Sequence, residues 1–274
     1  MFVLNIDPIA LSIGRFNIYW YGVMYALSLF ISWKIACIIS RSASRNGKNN
    51  SLIPNVAEID KFMFVGIIMC VFCARLGHIF FFEFEYYFAH PKEILMLRNG
   101  GMSFHGGIIG LIISVFWFSK KYRYSFTTMS DILSFSGSLG IFLGRIANFI
   151  NQELYGTVTS VNWAVIFKNV DMLPRHPTQI YESVCEGLLS FFIMLYFWKR
   201  RGNTAKSIGS GAYTFVFLIV YSSSRYIIEF FKEVEVITYF DTFSMTVGQI
   251  LSIALFMFAF LFLLLTKRYE RDRS

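Results

Sequence analysis

The sequence predicts an all-α polytopic membrane protein with seven transmembrane helices, the N-terminus outside and the C-terminus cytoplasmic. Three observations carry this reading. Only 15% of the 274 residues are charged, while 55% are hydrophobic and 19% aromatic; soluble domains carry about 25% charged residues. The apolar residues form runs close to the roughly 20 residues that a helix needs to cross a bilayer, without the alternation of a membrane barrel. Basic residues collect between alternate runs, as they do on the cytoplasmic side. The net charge of +8 therefore reads as orientation within a lipid bilayer, and no nucleic-acid partner is expected. Cys37, Cys70, Cys73 and Cys185 all lie in apolar runs and make no disulfide framework.

In chain order the spans fall near residues 18–40, 62–83, 104–118, 130–150, 178–198, 210–231 and 245–266. The first is too long for a signal-peptide core and lacks a clear cleavage site, so it is read as retained. The third is short and opens on Phe104, His105, Gly106 and Gly107, so part of it is expected to enter the membrane as irregular backbone lining a cavity. Orientation follows from fifteen basic residues on one side: Arg41, Arg45, Lys48 and Lys61; Lys120, Lys121 and Arg123; Lys199, Arg200, Arg201 and Lys206; and Lys267, Arg268, Arg271 and Arg273. The other side has six: Arg15, Lys92, Arg98, Lys168, Arg175 and Lys232. No internal repeat or dividing linker is visible, so residues 1–274 are read as a single integral membrane domain.

Four basic residues fall within spans: Lys34, Arg75, Arg145 and Arg225. Lys34 is near an inner end and can snorkel. Each arginine at mid-membrane costs about 2.5–3.5 kcal/mol on insertion scales and needs a partner or a purpose. Arg75, Arg145 and Arg225 sit roughly 8–10 Å below the outer ends of their spans, and His105 reaches the same layer. Asn148 follows Arg145 by three residues, and Tyr221, Arg225 and Glu229 are spaced by four, so each helix turns a polar stripe inward. Tyr21, Tyr25, Asn151, Gln152 and Glu153 add to it. The expected result is a cationic, hydrogen-bonding chamber suited to an anionic lipid head group.

Structural roles compete with this reading. Arg225 with Glu229 can be an ion pair that locks helices, and Arg75, beside Leu76 and Gly77, reads best as structural. Gly106 and Gly110 are also spaced for helix packing. Cys70 and Cys73 read as core and no metal site is expected. His176 precedes Pro177 and Thr178 and fits a helix boundary. One of Glu182 and Glu186 is expected to face the chamber, and Asp131 reads as a helix N-terminal charge.

The stretches GGMSFHGG (100–107), GRIANFINQELYG (144–156), PRHPTQIYE (174–182) and RYIIEFFK (225–232), in this order between apolar spans, resemble the prolipoprotein diacylglyceryl transferase family. The likeness runs from Tyr19-Trp20-Tyr21-Gly22 to Gly248-Gln249. It implies a bacterial inner-membrane enzyme that moves the diacylglyceryl group of phosphatidylglycerol to the lipobox cysteine of a preprolipoprotein, without a cofactor. The family's functional positions fall on Tyr21, His105, Arg145, Asn148, Glu153, Arg225 and Glu229. Where the family pattern has glycine, this chain has Ala147 and Gln152, and Cys73-Ala74 precede Arg75 in place of Gly-Gly.

On this reading Arg145 and Arg225 bind the phosphodiester, and His105 is the first choice for the base that takes the thiol proton, with Glu229 or Glu153 as replacements. Tyr21, Asn148, Glu153, Tyr221 and Glu229 complete the substrate contacts. An anion transporter or lipid-binding channel could use the same chamber, although the charges lie in the outer half rather than at the midplane. An intramembrane protease fits less well, because no H-E-x-x-H and no intramembrane aspartate pair is present.

Overall fold

The computed structural model describes residues 2–14, 16–46, 53–96, 100–200, 208–233, 238–240 and 243–271. Arg15, Lys48, Arg98, Arg201, Lys206 and Arg273, used above for orientation, lie outside the described residues. The helices are α1 (Trp20–Asn46), α2 (Val56–Phe82), α3 (Phe84–Ala89), α4 (Phe104–Tyr122), α5 (Phe126–Ile150), α6 (Thr178–Arg200), α7 (Ala212–Ile228) and α8 (Val247–Arg271). Six of them, α1, α2, α5, α6, α7 and α8, are long and apolar enough to cross a membrane. The protein is a multi-pass membrane protein by that measure.

Local chemistry fixes where the helices begin. A capping box opens α2: Glu58 N–H donates to Asn55 Oδ1 (3.0 Å) and Asn55 N–H to Glu58 Oε2 (2.8 Å). Ser125 caps α5 by accepting from Thr128 N–H at 3.0 Å. Thr246 and Gln249 form a second reciprocal box at the start of α8. Asp131 is fully buried and caps a different helix from its own. Its carboxylate accepts from the N–H groups of Gly209, Gly211 and Thr214 and from the Thr214 hydroxyl, at the entry to α7.

The expectation of irregular backbone at residues 104–107 is corrected. Regular helix begins at Phe104, capped by Ser103, whose Oγ accepts from Gly106 N–H at 3.3 Å. The left-handed backbone lies just before it, at Gly100 (φ +82°) and Gly101 (φ +79°). Gly106 and Gly110 serve contact instead: a Cβ at either position would run into the α2 backbone at Cys73 or Met69. Cys70 lies in this α2–α4 seam, against Gly107. Gly110→Val is expected to destabilise the protein by about 2 kcal/mol, read by denaturation in detergent micelles.

The all-α expectation also needs correction, because short strands occupy the segments between spans. They are β1 (Phe2–Leu4), β2 (Ile9–Ile13), β3 (Phe16–Tyr19), β4 (Val165–Phe167), β5 (Pro174–Arg175), β6 (Thr238–Phe240) and β7 (Phe243–Met245). Outside the helices backbone groups still need partners, and runs of two to five residues satisfy them by pairing. β1 pairs parallel with β4, β4 antiparallel with β5, and β2 with β3 in a hairpin that turns at Gly14 (φ +59°). The hairpin explains why α1 starts at Trp20 and not at 18. Bridges from Gly156 to Lys232 and from Val158 to Arg175 join these connections into a cap. It covers the end of the bundle where α5 and α7 stop and α6 begins.

Candidate functional site

Beneath the cap, α5, α6 and α7 bring together an ion-pair cluster. Arg145 of α5 lies 3.2 Å from Glu182 Oε2 and 3.1 Å from Glu186 Oε2, both on α6. Arg225 of α7 takes Glu182 Oε1 through Nη1 and lies 3.0 Å from Glu229 Oε2 through Nη2. Lys232 Nζ reaches Glu182 Oε1 at 2.9 Å. The side chains of Glu182 and Glu186 are 0% exposed, whereas those of Arg145 and Arg225 keep 16% and 20%. The carboxylates thus stand behind the guanidiniums. Only the guanidiniums retain access from outside.

Three cations face three carboxylates: Arg145, Arg225 and Lys232 against Glu182, Glu186 and Glu229. The expectation of a chamber with excess positive charge is therefore corrected to one of closed balance. The reason is physical, since unpaired guanidiniums at this burial would cost several kcal/mol each. The pairing leaves acceptor capacity in the cluster. Glu182 Oε2, Glu186 Oε1 and Glu229 Oε2 are buried without a hydrogen bond of good geometry.

The backbone of α6 is adapted to this cluster. Residues Ser183–Leu188 form a π turn, in which Leu189 N–H donates to Val184 O, five residues back. Such turns are uncommon and cluster at functional sites. Gly187 lets α6 approach the α5 backbone at Phe142. At the far side, Glu229 Oε1 accepts from the Thr246 hydroxyl at 3.0 Å, and a Cβ on Gly248 would fall on the Glu229 carboxylate. The start of α8, with its positive dipole end, thus seats Glu229.

The remaining predicted residues on the helix ends and connections make contacts of their own. Asn148 Nδ2 donates to Glu153 Oε1 at 2.7 Å. Gln152 adopts φ +57°, and its Oε1 accepts from Asn169 N–H at 2.8 Å. This accounts for glycine at that position in the family pattern, and Gln152 takes the left-handed conformation with a hydrogen bond to hold it. Tyr21 and Tyr25 share a 3.0 Å hydroxyl contact. Tyr21 and Glu153, with Asn151, Pro8 and Ile18, line an open groove of about 600 Å³. Tyr221, one turn before Arg225, is within electrostatic range of Glu186, Arg145 and Arg225.

His105 is on a different helix from the ion-pair cluster. It is exposed in the first turn of α4, whose packing is mainly on α2. Arg75 is buried, and its guanidinium donates to the carbonyls of Glu93, Ile94, Met96, Gly100 and Gly101, clamping the segment that leads into α4. His176 Nδ1 lies 3.1 Å from the Tyr181 hydroxyl, and burial lowers its pKa. Arg175 fastens the cap by pairing with Asp171 (2.7 Å) and Glu233 (3.1 Å). Its hydrogen bond holds the Asp171 carboxyl below the usual range. Lys34 Nζ rests over the Trp33 ring, 4.8 Å from its centroid.

Sequence reasoning missed two parts of the cluster. Both Glu182 and Glu186 belong to it, where one was expected, and the spacing of four on a helix was the available signal. Lys232 was counted with the outer loops. It lies past the end of α7, after a 3-10 turn and in extended backbone, where no helical spacing links it to Arg225.

A mostly helical bundle with six helices long and apolar enough to cross a membrane, holding a partly accessible guanidinium pair among buried carboxylates, defines the class: a multi-pass membrane protein with an ion-pair cluster at a helix junction. The prolipoprotein diacylglyceryl transferase family model matches residues 8–265. The chain is 42% identical over 254 residues to the phosphatidylglycerol–prolipoprotein diacylglyceryl transferase of Rickettsia typhi, covering 92% of this chain and 93% of that protein. It is 36% identical over 249 residues to the protein of the same name from Glaesserella parasuis, covering 91% and 88%. With the Rickettsia bellii protein it shares 40% over 255 residues, 92% of each chain. The chain belongs to the prolipoprotein diacylglyceryl transferase family.

Proposed function

We propose that this chain transfers the diacylglyceryl group of phosphatidylglycerol to the lipobox cysteine thiol of preprolipoproteins in the bacterial inner membrane. The observation that carries the assignment of roles is the convergence of Arg145 and Arg225 from two helices on one accessible point, backed by buried carboxylates. The basic residues on alternate connections support seven spans, with α4 as the third, and a cytoplasmic C-terminus. The cap and the cluster then face the outer leaflet, where lipid and secreted substrate meet.

The phosphodiester exchanges with carboxylate at the guanidinium forks, which suit phosphate as well as they suit carboxylate. A cysteine thiol has a pKa near 8.5 and is mostly protonated at neutral pH. Once deprotonated, its sulfur attacks the glycerol carbon, a C–S bond forms, the C–O bond to phosphate breaks, and glycerol phosphate leaves with the electron pair. Charge gathers on the leaving phosphate, and Arg145 and Arg225 stabilise it there. Asn148 and Glu153 continue the polar path toward the groove at Tyr21, and Tyr221 and Glu229 orient the forks.

His105 is assigned the thiol proton. Its exposure on α4 suits a group met by the peptide rather than by the lipid. His105→Asn is expected to lower transfer about a hundredfold or more while phosphatidylglycerol binding is retained. Undiminished turnover across pH would remove the assignment. The activity itself is tested by incubating purified protein with phosphatidylglycerol and a lipobox peptide. A gain of one diacylglyceryl mass on the peptide is expected, and a peptide of unchanged mass would overturn the reading.

A further inference from the structure

Lys232 follows the 3-10 turn Glu229–Phe231 and is fixed by its backbone. It bridges to Gly156, its N–H donates to Glu229 O at 3.3 Å, and Thr157 N–H donates to Phe231 O at 2.9 Å. A lysine at a membrane boundary ordinarily turns its ammonium to water, and the neighbouring Glu233 side chain is 54% exposed. Lys232 does the opposite. Its side chain is 4% exposed and its Nζ shares Glu182 Oε1 with Arg225.

The Lys232 ammonium completes the charge balance of the cluster. Without Lys232 the cluster holds two cations against three buried carboxylates, and that excess negative charge lies directly behind the guanidiniums that meet an anionic phosphodiester. Glu182 Oε1 would also be left to Arg225 alone, drawing that fork inward. We propose that Lys232 is a positioning residue for the transfer reaction, holding Glu182 and closing the charge balance so that Arg145 and Arg225 can exchange carboxylate for phosphate. This rests on the reading of Arg145 and Arg225 as the phosphodiester site. The charged groups facing the ammonium are Glu182 of α6, Arg225 of α7 and Arg145 of α5. Burial lowers its pKa; Glu182 opposes the shift and Arg225 adds to it. The ammonium is the working form, so the rate falls as pH rises through this lowered pKa.

The test measures initial transfer rates in mixed micelles of phosphatidylglycerol with a lipobox peptide. Lys232→Met is expected to raise the phosphatidylglycerol KM about tenfold or more with a smaller change in kcat. Adding Glu182→Gln restores the charge balance and should recover part of that loss. Lys232→Arg should keep the rate and move the alkaline limb of the pH profile upward, because guanidinium does not titrate there. An unchanged KM in Lys232→Met, additive losses in the double variant, or an unmoved alkaline limb in Lys232→Arg would each overturn the inference. If Lys232→Met does not fold, the Lys232→Arg profile decides. Arg145→Lys, run in parallel, separates the two readings. An unchanged KM there overturns the phosphodiester site itself, whereas a raised KM there with an unchanged KM in Lys232→Met overturns only the role of Lys232.

Discussion

Arg225→Ala is expected to lower the rate of lipid transfer by about a hundredfold to a thousandfold or more, measured as diacylglyceryl mass gained by a lipobox peptide. The guanidinium has two functions that alanine removes together. It faces the accessible side, where the phosphate of the lipid would bind, and it holds Glu182 and Glu229 behind it. Breaking a buried pair by removing one partner costs about 3–5 kcal/mol, so the variant is also expected to unfold more readily. Arg145→Lys isolates the catalytic part: it keeps the charge but loses the fork that spans Glu182 and Glu186. A correctly inserted Arg145→Lys or Arg225→Ala protein that transfers lipid at the wild-type rate would show that phosphate is held elsewhere.

Asp131→Ala is expected to destabilise the protein by about 3 kcal/mol or more, because several buried donors lose their acceptor at once. The carboxylate accepts from three backbone N–H groups and one hydroxyl at the entry to α7. That helix carries Tyr221 and Arg225 at its other end. The check is thermal denaturation in detergent, with Asp131→Asn as a milder companion that retains one acceptor oxygen. A midpoint unchanged in the alanine variant would mean that solvent or a neighbouring side chain satisfies those groups. Asp131 lies far along α5 from Arg145, so surviving Asp131→Ala protein should bind phosphatidylglycerol with its normal affinity.

The long apolar runs were legible because a bilayer imposes length and composition on every span, and the helices depart from the expected limits mainly at their polar ends. α2 begins at Val56 rather than at 62 because the Asn55 and Glu58 box starts it among charged residues that a hydropathy reading trims away. The strands were not legible, since two to five residues carry no usable period. Arg145, Asn148 and Arg225 stood out because charge and amide groups are scarce inside spans. Glu182 and Glu186 stood out only in part, one of the two being expected to face the chamber, although both hold the cluster together. They sit near a helix start, where acidic residues are ordinary, and the π turn that follows Glu182 leaves no mark in composition. Arg75 shows the converse: an arginine as conspicuous as the others proves to be bound by five backbone carbonyls.

The seat of Glu229 against Gly248 ties a peripheral rod to the chemistry. α8 is the least buried of the six apolar helices, so most of its surface lies outside the protein interior. Its first turn nonetheless abuts the carboxylate that steadies Arg225. A tilt or axial slip of α8 would therefore disturb that contact, and with it the seat of the Arg225 fork.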